Sequence, residues 1–112
     1  TRVENGTLEI GSGGSIYQGN ATNPLILVGT APGLTGVFSI AAGGTATGAG
    51  EIGSGGMGVA NVSGTGASWT AGLLYVGSSS EGSLLVNSGG DVLVGGLFAG
   101  RDGGVSGSMT VN

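Results

Sequence analysis

The carboxylates of this sequence are the side chains best suited to acid-base chemistry. Two carboxyl groups that face each other can cleave a glycosidic bond. The acidic side chains that could serve are Glu9, Glu51, Glu81, Asp91 and Asp102. They occupy different parts of the repeat described below, so we expect them on separate corners as solvated surface charges. We therefore predict no catalytic residue and no enzyme activity. A β-helical glycan-processing lyase or hydrolase is the alternative.

The serines are numerous, but no side-chain base accompanies them. The 112 residues contain no histidine, no lysine and no cysteine. A nucleophilic serine needs an adjacent base, so the composition argues against a serine hydrolase. Without cysteine there is neither a disulfide framework nor a thiolate metal site. We predict that the chain uses no cofactor and no metal.

One glycine-rich segment matches a dinucleotide-binding pattern. It reads GSGGMG at residues 53–58. A nucleotide site of this kind needs a helix directly afterwards and an acidic residue about 20 positions further on. The residues that follow, Val59–Val62, have strand character instead. We interpret the segment as a repeated turn.

The composition excludes several classes of protein. Glycine supplies 29 residues and charged residues only 7%, yet 38% of residues are hydrophobic. Disordered chains combine low hydrophobicity with high charge, so this chain is expected to fold. A net charge of −4 with two arginines provides no basic surface for nucleic acid. No apolar run approaches the roughly 20 residues that span a bilayer, so we expect this segment not to be membrane-embedded.

An internal repeat dominates the sequence. Two residues followed by a closing glycine recur as Leu27-Val28-Gly29, Glu51-Ile52-Gly53, Tyr75-Val76-Gly77 and Phe98-Ala99-Gly100. The closing glycines therefore recur every 23 or 24 residues. A second glycine then precedes a short strand in each copy, at Gly36, Gly58, Gly82 and Gly107. Periods of this length are typical of solenoids.

The strand after the second glycine alternates in polarity. Its apolar positions form two columns: Leu8, Phe38, Ala60, Leu84 and Met109, and then Ile10, Ile40, Val62, Val86 and Val111. The residues between the columns are mostly polar. Because successive strand residues face opposite sides, both columns are predicted to point inward.

Two further strands complete each copy of the repeat. The second strand passes through Ile16, Ala46, Trp69 and Val92, and the third ends at the closing glycine. We predict an all-β, right-handed parallel β-helix of about four coils of 23–24 residues, with three short strands per coil. Residues 1–112 form a single segment, with an insertion at about 18–24 and a longer parent protein expected. Helical repeats and calcium-binding nonapeptide repeats fit the glycine spacing poorly.

Three segments resemble the repeats of bacterial autotransporter passenger domains. They are VSGTGASW at 62–69, LYVG at 74–77 and SLLVNSGG at 83–90. The resemblance implies a right-handed β-helix exported through the outer membrane and displayed on the bacterial cell surface. It also implies an adhesive or self-associating role, with partners among surface proteins, glycans or further copies of the chain.

Trp69 has two interpretations. On the inward column it would fill the core between the smaller Ala46 and Val92. On the outside it would be a platform for stacking sugars. The alternation of the strand favours the core.

The third strand offers the candidate partner-binding residues. If Val28 and its counterparts point inward, Leu27, Glu51, Tyr75 and Phe98 form an outward ladder. Its three apolar members, Leu27, Tyr75 and Phe98, would make a contact patch. Stacking between coils that stabilises the ladder itself explains them equally well.

The predicted function is accordingly non-enzymatic: adhesion, self-association or a rigid stalk at the cell surface. An ice-binding solenoid is a third hypothesis, and it requires a Thr-x-Thr rank on every coil. Only Thr45-Ala46-Thr47 supplies one.

Overall fold

A computed structural model describes residues 2–17, 26–100 and 107–111, with only the backbone of 109–111. Within these residues the protein is all-β. The strands are β1 (Arg2–Val3), β2 (Gly6–Ile10), β3 (Ser15–Tyr17), β4 (Ile26–Val28), β5 (Thr35–Ile40), β6 (Thr45–Thr47), β7 (Gly50–Ile52), β8 (Met57–Ser63), β9 (Ser68–Val76), β10 (Gly82–Asn87), β11 (Asp91–Ala99) and β12 (Gly107–Val111). The predicted insertion at 18–24 lies outside the described residues, as does Asp102.

The strands form two parallel sheets that wind as a solenoid. One sheet has the order β12-β10-β8-β5-β2, and the other the order β1-β4-β7-β9-β6-β3, with β11 beside β9. Each strand pairs with its counterpart in the next coil, so equivalent residues of successive coils lie side by side. The predicted parallel β-helix of about four turns is confirmed.

The five-stranded sheet has the register that the sequence predicted. Leu8 pairs with Phe38, Phe38 with Ala60, and Ala60 with Leu84. Met109 continues this backbone register beside Leu84. Phe38, Ala60 and Leu84 are fully buried, and Leu8 packs partly buried against the same core. The alternation of apolar and polar residues therefore identified the inward face.

The first two coils have the three separate strands that were predicted, whereas the later coils differ. The second and third strands of the later coils are joined into the nine-residue strands β9 and β11. In β9 the inward alternation breaks at Gly72 and Leu73, between buried Ala71 and buried Leu74. Glycine within a strand commonly marks such a bend. The hydrogen-bonded ladder thus continues through a corner, where three separate strands had been expected.

Glycines shape the corner before the five-stranded sheet. A Cβ at Gly58 would collide with the carbonyl oxygen of Val28, and one at Gly82 with that of Ile52. The third strand of the previous coil passes so close that a side chain does not fit. This close approach accounts for the second glycine of each repeat.

The loops that cross this corner vary in length without disturbing the sheet. Six residues separate β4 from β5, four separate β7 from β8, and five separate β9 from β10. Three amide groups of the four-residue loop, those of Ser54, Gly55 and Gly56, donate to the Gly29 carbonyl oxygen at 2.8–3.0 Å. This loop is therefore anchored on the coil beneath it.

Trp69 lies at the centre of the core. It is fully buried, and its ring meets the Phe38 ring edge-on at 5.3 Å and 86°. Its indole Nε1–H donates a hydrogen bond to the carbonyl oxygen of Gly48 at 3.0 Å. The neighbour in the preceding coil is the small Ala46. Core packing is confirmed, and a sugar platform at Trp69 is wrong.

Candidate functional site

The outward column of the third strand is the first candidate surface. We call it the third-strand ladder; its members are Leu27, Glu51, Tyr75 and Phe98. The register pairs Leu27 with Glu51, Glu51 with Tyr75, and Tyr75 with Phe98. The inward residues beside the first three, Val28, Ile52 and Val76, are fully buried. The register therefore aligns the four residues in one column, although Ala99, the predicted inward residue of the fourth coil, is exposed.

The two aromatic members of the ladder stack on each other. The Tyr75 and Phe98 ring centroids lie 5.3 Å apart with an interplanar angle of 24°. Tyr75 is half-buried, whereas Phe98 is 49% exposed. An aromatic pair of this kind contributes about 0.5–1.5 kcal/mol beyond the area it buries. The stacking supports the ladder, and the exposed part of Phe98 is accessible to a partner.

The ladder is not one continuous apolar strip. Glu51 stands between Leu27 and Tyr75 in the register. The buried Ser78 hydroxyl donates a hydrogen bond to Glu51 Oε1 at 2.6 Å, which holds the carboxylate in place. Charge-assisted bonds of this kind are stronger than neutral ones. The apolar patch is thus the Tyr75–Phe98 pair, with Leu27 set apart.

Arg2 extends the third-strand ladder by one coil. It pairs with Leu27 in the register, and its guanidinium lies 3.5 Å from the Glu4 carboxylate. Both side chains are largely exposed, and such surface ion pairs contribute little to stability. The ladder therefore begins with a solvated charge and ends with aromatic rings.

A second outward surface lies on the same sheet. We call it the second-strand face; its members are Ser15, Tyr17, Thr45, Thr47, Ser68, Thr70, Asp91 and Leu93. The register aligns them in two columns, each with one residue per coil. Tyr17 is 73% exposed and Leu93 is 69% exposed, at opposite ends of one column. Tyr17 is not among the residues that the repeat pattern singles out. Strand alternation after the inward Ile16 nevertheless places it on the outer face.

The carboxylates are distributed over the surface. Glu9 lies on the outer side of β2, Glu51 on the third-strand ladder, Glu81 in the loop before β10, and Asp91 at the start of β11. Residues 2–17, 26–100 and 107–111 contain no group of three or more acidic, histidine or cysteine side chains that could hold a metal. Each of these four acids thus lies on a different strand or loop.

A groove follows the corner loops. Pro32, Leu34, Met57 and Glu81 line it, and Leu34 and Met57 are each 44% exposed. Among the described residues that line it, Glu81 is the single carboxylate. The described lining therefore lacks the pair of carboxyl groups that glycan cleavage requires.

Comparisons with protein families, with curated proteins and with solved structures find no match. In the described part of the chain, no helix has the length and apolar character needed to cross a membrane.

Proposed function

We propose that this protein is a non-enzymatic β-helical segment displayed on a bacterial cell surface, where it acts in adhesion or self-association. The observation that carries the contact role is the Tyr75–Phe98 pair, in which stacking leaves Phe98 49% exposed. Exposed aromatic side chains on a rigid support are common anchors of protein interfaces. Tyr75 and Phe98 are the central contacts, and Leu27 is a more distant one.

The cell-surface location is supported by the sequence. The repeat segments at 62–69, 74–77 and 83–90 resemble autotransporter passenger domains, whose β-helices are exported through the outer membrane. Antibody labelling of intact cells that express the full-length protein tests this location. Labelling only after the cells are broken would contradict it.

A rigid stalk is the alternative within the same class. In that role the Tyr75–Phe98 stack would only stabilise the coils. A glycan-processing enzyme is the alternative from another class. The positions of Glu9, Glu51, Glu81 and Asp91 on separate surface features give it no support.

Sedimentation of the chain separates a contact role from a stalk. We expect dimers or larger species at micromolar concentration. Replacing Tyr75 and Phe98 together by serine should weaken association through the third-strand ladder at least about tenfold, or 1.4 kcal/mol, because the exposed Phe98 ring and the half-buried Tyr75 ring that supports it are both removed. The matched control is Met57→Ser, which removes an exposed apolar side chain from a corner loop.

The control variant should associate like the native chain. A native chain that stays monomeric at high concentration would contradict self-association, and it would leave the stalk as the better interpretation. Equal weakening by Met57→Ser would show that general surface hydrophobicity, and not the aromatic pair, drives association.

A further inference from the structure

The second-strand face combines hydroxyl groups with one exposed aromatic ring. Six of its eight side chains carry a hydroxyl: Ser15, Tyr17, Thr45, Thr47, Ser68 and Thr70. Asp91 and Leu93 occupy the fourth coil. The composition of this face is therefore polar and almost uncharged, unlike the apolar pair on the third-strand ladder.

We propose that the second-strand face binds a neutral glycan chain, with one sugar ring stacked on Tyr17 and the chain following the solenoid axis. This inference deepens the adhesive role proposed above, on which it rests, by assigning a surface and a ligand class. The third-strand ladder and the second-strand face are separate surfaces, so each can be tested without the other.

The spacing of the hydroxyls suits an extended oligosaccharide. Neighbouring coils lie about 4.8 Å apart, so the three coils that carry hydroxyls present a ladder about 10 Å long. Each serine or threonine hydroxyl both donates and accepts hydrogen bonds, as sugar hydroxyls do. Alternate residues of one strand, such as Thr45 and Thr47, project from the same side about 6.6 Å apart. A sugar chain along the axis therefore meets two parallel rows of matching groups.

Rigidity favours binding by this face. The threonines are β-branched and have few rotamers, so little side-chain entropy is lost on binding. Behind the face, the buried Trp69 lies between Ser68 and Thr70 and fixes β9 to the core. The threonine side chains and the backbone of β9 are thus largely fixed before a ligand arrives.

Tyr17 provides the apolar contact that sugar recognition needs. The C–H groups on one side of a pyranose ring pack against an aromatic face, while the hydroxyls on its rim make hydrogen bonds. Tyr17 is 73% exposed, far more than the half-buried Tyr75. A tyrosine joins an apolar ring to a polar tip. Its position at the end of a row of threonines places stacking and hydrogen bonding on one line.

Charge selects a neutral ligand. Asp91 is the only charged side chain of the face, and the whole chain has a net charge of −4. An anionic glycan would be repelled by this field, whereas a neutral one is indifferent to it. A sulfated oligosaccharide therefore serves as a negative control.

Fluorine NMR can test the proposal directly, because the chain has two tyrosines. The protein is labelled with fluorotyrosine and titrated with cellohexaose and with chitohexaose, up to millimolar concentration. We expect at least one of these neutral sugars to shift the Tyr17 signal and to leave the Tyr75 signal unchanged. No shift with either sugar, or a shift at Tyr75 alone, would overturn the proposal. So would stronger binding of a heparin hexasaccharide.

Variants then assign the contacts, with calorimetric titration as the measurement. Tyr17→Ser should weaken binding at least about tenfold, or 1.4 kcal/mol, whereas Tyr17→Phe should retain most of it because the ring remains. An unchanged circular dichroism spectrum checks that both variants fold. Equal affinity in Tyr17→Ser and the native chain would overturn the proposal.

The Tyr75 and Phe98 double serine variant distinguishes the two surfaces. It should bind the sugar as the native chain does, whatever its effect on sedimentation. A loss of glycan binding in this variant would place the ligand on the third-strand ladder and contradict the second-strand face. If glycan binding fails while self-association persists, the proposed function stands without this inference.

Discussion

Trp69 fits this core because the positions of the second sheet that lie beside its ring in the coil below hold small residues. Its register neighbour is Ala46, and the inward Gly50 lies directly beside its ring. Phe38 meets the ring from the opposite sheet. A large side chain in one coil is thus matched by small side chains in the next, so that Phe38 and Trp69 fill this part of the interior without leaving space.

Gly50→Ala tests this matching. A Cβ at Gly50 would lie 2.5 Å from Trp69 Cζ2 and 2.9 Å from Trp69 Cη2, so either the tryptophan ring or the backbone at residue 50 must move. Overpacking of this kind costs about 1–3 kcal/mol of unfolding free energy. Chemical denaturation followed by tryptophan emission measures it.

Gly11→Ala is the matched control for this substitution. A Cβ there meets no atom within 4 Å, so the unfolding free energy should change by less than about 0.5 kcal/mol. Equal losses in the two variants would show that the cost comes from the backbone, and not from the tryptophan ring.

At the scale of the strand, β10 offers a comparison between neighbouring residues. Val86 is inward and 4% exposed, whereas Leu85 points outward and is half-buried. Val86→Asp should cost several kcal/mol, because an unpaired charge in an apolar core is strongly disfavoured. Leu85→Asp should stay within about 0.5 kcal/mol. Similar losses of melting temperature in the two variants would contradict the register of β10.

The strands of the five-stranded sheet could be predicted because their alternation repeats in every coil. Phe38, Ala60 and Leu84 are aligned as expected. The joining of the second and third strands could not be predicted in the same way. Gly72 and Leu73 are both half-buried, so the alternation of buried and exposed residues is interrupted there. The sequence pattern therefore does not show whether the backbone hydrogen bonds of β9 continue through this point.

The candidate surfaces were predictable to different degrees. Alignment of Leu27, Tyr75 and Phe98 follows from the closing glycines, which fix the third strand. Ser78 was not predictable, because its contact with Glu51 depends on the path of a corner loop. The outward position of Tyr17 could have been predicted from the sequence, because Tyr17 directly follows the inward Ile16 in the same strand.

At the scale of the molecule, each coil packs on its neighbours through both sheets, so we expect a single cooperative unit. Far-UV circular dichroism should show strand and almost no helix. Because Trp69 is fully buried in the third coil, its emission should be blue-shifted and should change at the same denaturant concentration as the dichroism signal. Clear helical minima would contradict the fold, and separate transitions would contradict the coupling of the coils.

The two outward surfaces are also a property of the whole molecule. Tyr17 lies on the second strand of its coil, and Tyr75 and Phe98 lie on the third. Tyr17 belongs to the first coil, whereas Tyr75 and Phe98 belong to the third and fourth, about 10 Å or more away along the solenoid axis. We therefore expect substitutions on the two surfaces to have additive effects on stability, as distant sites generally do.

The corner loops between the third strand and the following sheet can vary in length, whereas the strand positions that they connect are constrained. Gly58 pairs with Gly36 on one side and with Gly82 on the other, although the loops leading to them hold four, six and five residues. Changes of length are therefore absorbed in solvent and do not shift any side chain of the core. A lineage can diversify these loops, and an engineer can graft a peptide epitope there, while the glycine and aliphatic columns continue to encode the same solenoid.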